Sequence, residues 1–216
     1  MRPVVRVIPL LLCLLTLVAC QKAYYGAMEK VGIHKRDILV DRVEDARDSQ
    51  AEAKEEFANA LERFQSVVKV DGGELQETYE RLNSTYEDCD DKAQNVSTRI
   101  AKVQDVAEAL FEEWQAELNQ YSSAKLRQQS ASQLTRTKRE YKKLLSAMRK
   151  AEKSMHPVLS TLHDQVLFLK HNLNARAIAS IKNELDTVER DVASLVKTME
   201  VSINEANQFI EQMLGD

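Results

Sequence analysis

Few side chains in this 216-residue chain are of types and spacings that could do chemistry. Cys13, Cys20 and Cys89 are its thiols, and His34, His156, His163 and His171 its candidate imidazole metal donors. His156 and His163 are seven residues apart, about 10 Å along a helix, too far to share one ion, and His171 is more distant again. Neither the Glu-x-x-His pair of di-iron bundles nor the His-Glu-x-x-His of zinc peptidases occurs. Asp88, Asp90 and Asp91 lack the spacing and the glycine of a calcium loop. There is no Gly-x-Ser-x-Gly elbow and no glycine-rich phosphate loop. The expectation is a protein that is not an enzyme, with no catalytic residue, cofactor or metal.

Cys20 is the exception. Arg2 and Arg6 supply a positive start, residues 7 to 18 are mostly apolar, and Leu17-Val18-Ala19-Cys20 closes the run with a small residue before the thiol. About a dozen apolar residues fall short of the roughly 20 that span a bilayer, so the segment reads as a secretory signal. The four residues resemble the processing site of bacterial lipoproteins, in which the cysteine sulfur takes a diacylglycerol, the bond before it is cut and the new amine is acylated. That resemblance implies a signal over 1–19, lipidation at Cys20 and membrane attachment through the lipid, since several acyl chains together hold firmly where one does not. Gln21, where an Asp commonly marks inner-membrane retention, implies the periplasmic face of the outer membrane, with the inner membrane as the alternative.

The remaining thiol, Cys89, has no partner for an intramolecular disulfide. It stands among Glu87, Asp88, Asp90 and Asp91, whose charge disfavours the thiolate, and it reads as a small core residue, with an intermolecular disulfide as the second reading.

Five Gly, three Pro, 6% aromatic and 30% charged residues are the composition of long helices. Apolar residues recur at alternating spacings of four and three in four series. The first runs from Leu39 to Val67 through Val43, Ala46, Ala53, Phe57, Ala60 and Phe64, with Gln50 as its polar slot. The second runs without a polar break from Leu75 through Tyr79, Leu82, Tyr86, Cys89 and on to Leu110 and Trp114. The third, from Leu134 to Leu173, admits Thr137 and Gln165, and the fourth, from Ile178 to Met213, admits Ser202. Phase is lost at Asp71-Gly72-Gly73, between Tyr121 and Gln133, where Ser130-x-x-Gln133 could form a capping box, and at His171-Asn172-Leu173-Asn174.

These breaks predict helices at about 37–70, 74–121, 130–171 and 175–214, following a lipidated tether over 20–36 whose tyrosines would rest at the lipid interface. The predicted fold is all-α: an elongated antiparallel four-helix bundle over 37–216 with coiled-coil-like heptad packing. A three-helix bundle with one very long helix is the alternative if the second break is not real. Pro157 falls inside the third series and predicts a kink.

Charge is segregated. Residues 37–62 hold nine acidic and three basic side chains, whereas 123–153 hold ten basic and two acidic. One account packs the basic third helix beside acidic neighbours inside the bundle. The other makes Arg136, Lys138, Arg139, Lys142 and Lys143 a binding face for an acidic envelope protein or an anionic cell-wall polymer. Nucleic acid is excluded by export and by the lack of stacking aromatics within the basic stretch. Self-association through exposed parts of the seams, and amphipathic membrane remodelling, are the competing roles.

Three stretches carry a resemblance across the mature chain: Ala23 to Asp41, Val106 to Leu118 around Phe111-Glu-Glu-Trp114, and Val166 to Arg176. They resemble an uncharacterised family of Gram-negative lipoproteins defined only as a domain of unknown function. That resemblance implies no substrate, partner or catalytic residue.

Overall fold

The computed structural model describes Tyr25 and residues 27–68, 75–172 and 175–215. Cys20 with its signal, the Asp71-Gly72-Gly73 turn and Leu173-Asn174 lie outside the described residues. Four long helices account for nearly all the rest: α1 over Lys35–Val68, α2 over Leu75–Glu117, α3 over Ala124–His171 and α4 over Ala175–Gly215. The longest, α3, has 48 residues, about 72 Å at 1.5 Å per residue.

The helices form a square. α1 packs on α2 and α4, and α3 packs on the same two, so α1 and α3 face each other across a diagonal. Neighbours run antiparallel, as specific bonds require. Lys35 at the start of α1 meets Glu113 near the end of α2, Arg36 donates to the Met213 carbonyl at the end of α4, and Trp114 reaches Ser130 near the start of α3.

The core follows from spacing. Every apolar member of the first series is buried, with Ala46, Ala53 and Ala60 recurring every seventh residue between larger groups. In α2 the seam is buried from Leu82 onward at Cys89, Ala93, Val96, Ile100, Val103, Ala107 and Leu110. At its first turns, however, Thr78 and Thr85 are buried while Tyr79 and Tyr86 are only half-buried. Thr85 tolerates this by donating its hydroxyl to the Arg81 carbonyl one turn back, at 2.8 Å. The four polar seam residues, Gln50, Thr137, Gln165 and Ser202, are all buried.

The connection between α2 and α3 excludes a three-helix arrangement. A single 3₁₀ turn over Leu118–Gln120 ends α2, Tyr121 is extended, and Ser123 caps α3 by accepting from the Leu126 amide at 3.4 Å. Helix α3 therefore starts six residues before the 130 expected from the sequence. Ser130 caps nothing: it sits within the helix, and its hydroxyl accepts the Trp114 indole N–H at 2.7 Å. The apolar rhythm misplaces this boundary because residues 124–129 of α3 are exposed and need no apolar face.

Pro157 lies on the exposed side of a continuous α3. The carbonyl it leaves without an amide donor, that of exposed Lys153, is on the solvent side of the helix.

Before α1, a helical turn over 27–30 ends in a Schellman motif. The Gly32 amide donates to the Glu29 carbonyl at 3.0 Å and the Ile33 amide to that of Met28 at 3.1 Å, which requires φ of 84° at Gly32. His34 then opens α1, its backbone N–H held by the Asp37 carboxylate at 3.2 Å. Of the two tether tyrosines, Tyr24 lies outside the described residues and Tyr25 is packed on protein. It is 8% exposed, buried against the bundle end with the Lys35 ammonium 5.8 Å from its ring centre.

Candidate functional site

The basic residues singled out from the sequence occupy the first third of α3, and helical spacing divides them into two groups. Arg136, Arg139 and Lys143 share one face with Glu140. They line a cleft of about 580 Å³ whose opposite wall is Phe209, Gln212, Met213 and Gly215 of α4. Lys138 and Lys142, one turn apart, lie on the flank toward α2, where the Lys138 ammonium sits 5.7 Å from the centre of the Phe111 ring. A shallower cleft shares Arg136 and continues along α3 through Gln133, Ser132, Gln129, Gln128 and Lys125. The result is a polar, cationic groove running toward the N-terminal end of α3.

Glu140 is the one acid in the groove wall, and it is spent locally. It accepts from Lys143 at 2.8 Å and from Arg139 at 2.9 Å, and these hydrogen bonds hold its carboxyl below the usual carboxylate range. Arg136 and Lys142 are exposed and have no ion pair among the described residues.

Cross-helix ion pairs elsewhere set this stretch apart. α1 is stitched to α2 through Asp45–Arg99 at 2.8 Å and Glu52–Lys92 at 2.7 Å, and to α4 through Lys54–Glu200 at 3.5 Å. Among the described residues no ion pair joins α3 to another helix; its pairs with Glu140 and Glu152 lie within α3. Segment 37–62 lies on α1, diagonally across the core, so the acidic neighbours of α3 are instead α2 and α4, which face it without a direct ion pair among the described residues. The most acidic helix is α2, which over Leu75–Glu117 holds eleven acidic and four basic side chains, and it packs directly on α3.

The remaining candidates are placed as follows. Cys89 is fully buried, and burial, then the charges of Glu56 and Asp88, push its thiol up to about 12. His163 is exposed and stacks against Tyr86 with ring centres 5.0 Å apart. Among the described residues no three His, Cys, Asp or Glu side chains converge as metal donors. None of the described helices is long and apolar enough to cross a membrane.

The sequence missed an ion cluster at the entry to the bundle. Lys35, nearly buried, is held between Glu29 and Glu113, at 2.9 Å from the latter. Burial works against its charge, but the hydrogen bonds to the two carboxylates outweigh burial and leave its pKa raised. The hydrogen bond from Lys35 likewise lowers the pKa of Glu29. The i, i+6 spacing of Glu29 and Lys35 is not a helical contact, and only the intervening Schellman turn makes it one.

Fold and groove together define an all-helical, four-helix bundle with a cationic groove on α3. The chain belongs to the family described as Protein of unknown function (DUF2959), whose model matches residues 24–213. No curated protein and no solved structure gives a significant match.

Proposed function

We propose that this chain is a lipid-anchored protein of the bacterial cell envelope, tethered through Cys20, that acts without catalysis as a scaffold or adaptor. Its attachment lies on the periplasmic face of the outer membrane, as Gln21 after the lipidated cysteine argues. The partner, an acidic envelope protein or anionic cell-wall polymer, binds the α3 groove through Arg136, Arg139 and Lys143, with Lys138 and Lys142 on its flank.

One observation carries this reading. Ten basic side chains fall within residues 123–153, yet no cross-helix ion pair among the described residues engages them. Acidic α2 and α4 beside α3 offset part of that charge, and the exposed Arg136 and Lys142, which have no ion pair among the described residues, are left for an external anion. The four-and-three rhythm of buried residues also supports coiled-coil-like packing, which suits a rigid spacer.

The test is in-cell crosslinking from a photoreactive residue in place of exposed Ser132 in the groove, with the anchor retained, followed by capture and mass spectrometry. A discrete envelope partner, obtained with the native groove and lost when Arg136 and Lys142 are changed to Glu, is the expected result. Unchanged capture after charge reversal refutes the groove as the binding face. Recovery of this chain alone supports self-association instead.

A further inference from the structure

Large apolar side chains left exposed by this fold are not spread evenly. Among the described residues eight stand out, and five of them, Val31, Ile33, Tyr121, Leu126 and Leu214, lie at a single end of the bundle. That end is where α1 and α3 begin and α2 and α4 finish, as the Lys35–Glu113, Trp114–Ser130 and Arg36–Met213 contacts establish. Val31 and Leu214 are each 71% exposed and Leu126 53%. None of the three makes a buried contact that would account for its being apolar. By contrast Leu167 and Phe168 are near the far end, and Val201 stands alone on the flank of α4.

The same end receives the tether. Tyr25 is pinned there by burial and by Lys35, and Cys20 precedes it by only five residues. Fully extended, those five residues span at most about 18 Å at 3.3–3.6 Å each, a quarter of the length of α3. A lipid on Cys20 therefore holds this end close to the bilayer, whatever the far end does. Exposed Lys30, Lys125 and Arg127 accompany the apolar group. Long cationic side chains beside apolar ones and a half-exposed tyrosine are the composition of a surface that sits at the headgroup level of a membrane.

We propose that this end of the bundle is a foot that rests in the headgroup region of the bilayer carrying the Cys20 lipid. Val31, Ile33 and Leu126 enter the interface, the Tyr121 phenol stays at headgroup level, Lys125 and Arg127 meet lipid phosphates, and Leu214, between Met213 and Gly215 of the groove wall, stays above them. The foot stands the bundle upright. The deeper part of the α3 groove then runs from about 18 Å beyond Ala124 at Arg136 to about 29 Å at Lys143, counted at 1.5 Å per residue. The ends of α1 and α3 and the starts of α2 and α4 are farthest from the lipid, beyond the reach of the tether.

This inference rests on lipidation of Cys20, and the experiment separates the two. The full lipidated chain is reconstituted into vesicles of phosphatidylethanolamine and phosphatidylglycerol that contain a lipid with a nitroxide on its headgroup. One environment-sensitive fluorophore is attached in turn through Leu126→Cys and Phe168→Cys. Both positions are exposed and apolar, and buried Cys89 does not compete for label. Circular dichroism of each labelled chain verifies the fold. A blue-shifted emission and several-fold stronger quenching at 126 than at 168 is expected. Equal quenching in a chain that floats with the vesicles overturns the foot while leaving the anchor intact. A chain that does not float at all overturns both.

Discussion

Ser202 on α4 donates its hydroxyl to the side-chain oxygen of Gln50 on α1 at 2.8 Å, and both side chains are wholly closed to water. This is a polar bond in the middle of an apolar seam, and it links helices in only one axial register. The Gln50 amide nitrogen, also buried, has no acceptor among the described residues, so the pair is incompletely satisfied. Such a layer costs stability and restricts alternatives, the role of a polar residue at a seam position.

Ser202→Ala removes the donor and leaves the Gln50 oxygen buried and unpaired, which costs about 1–3 kcal/mol. Adding Gln50→Leu removes the orphan and returns the midpoint of unfolding to the native value or above. Urea denaturation of the three chains checks the order, and a double variant less stable than Ser202→Ala contradicts it.

The tie between Trp114 and Ser130 holds the end of α2 to α3 across the short connection. Ser130→Ala leaves the indole N–H of the chain's one tryptophan without its partner and costs about 1 kcal/mol. Tryptophan emission reports the change locally: its maximum shifts in the folded variant while far-ultraviolet circular dichroism stays unchanged. An unaltered spectrum would mean that the bond does not form.

Stability falls on the alkaline side. Burial raises the Cys89 thiol to about 12 from 9.0 and the Tyr141 phenol to about 12 from 10.0. A group held protonated by the fold stabilises it fully below its unfolded pKa and loses that contribution as pH rises through the folded value. The unfolding midpoint should therefore decline from about pH 9 to about 12, as those two shifts require. In Cys89→Ala the decline starts nearer pH 10, where the Tyr141 and Tyr86 phenols, both raised by burial, remain. Disulfide-exchange labelling of Cys89 at neutral pH proceeds at the rate of unfolding, not at that of a free thiol.

At the other extreme, acid loosens the strap before α1. Glu29 has a lowered pKa through its hydrogen bond with Lys35, so its contribution is present above the ordinary carboxylate pKa and is lost as pH falls through the folded value. Hydrogen exchange corrected for intrinsic rate should show residues 27–36 losing protection in acid before the centres of the helices. Glu113→Gln removes one of the two partners of Lys35 and should shift that loss to higher pH.

The seams were legible because their signal is local. Leu39, Phe57 and Phe64 recur at helical spacing and all are buried, as are Leu144, Met148 and Leu162. Thr78 and Thr85 were not legible as core, since threonine reads as polar; the Thr85 hydroxyl bonds its own helix, whereas that of Thr78 is buried with no partner among the described residues. The start of α3 was misread because Ser-x-x-Gln recurs without being a cap, and the exposed first turns carry no apolar rhythm. Composition located the basic stretch correctly. It could not say that α1 lies diagonally across from it, because which helices become neighbours is a property of the assembled square and not of any one helix.

The attached position of Cys20 underlies both the groove's accessibility to an envelope partner and the foot. Intact-mass spectrometry of the protein purified from membranes addresses it directly. The account predicts a chain that begins at Cys20 and carries a diacylglycerol on the sulfur and an acyl group on the amine, with Cys20→Ala left unprocessed and unacylated. A mature chain that begins elsewhere, or one with an unmodified Cys20, contradicts it.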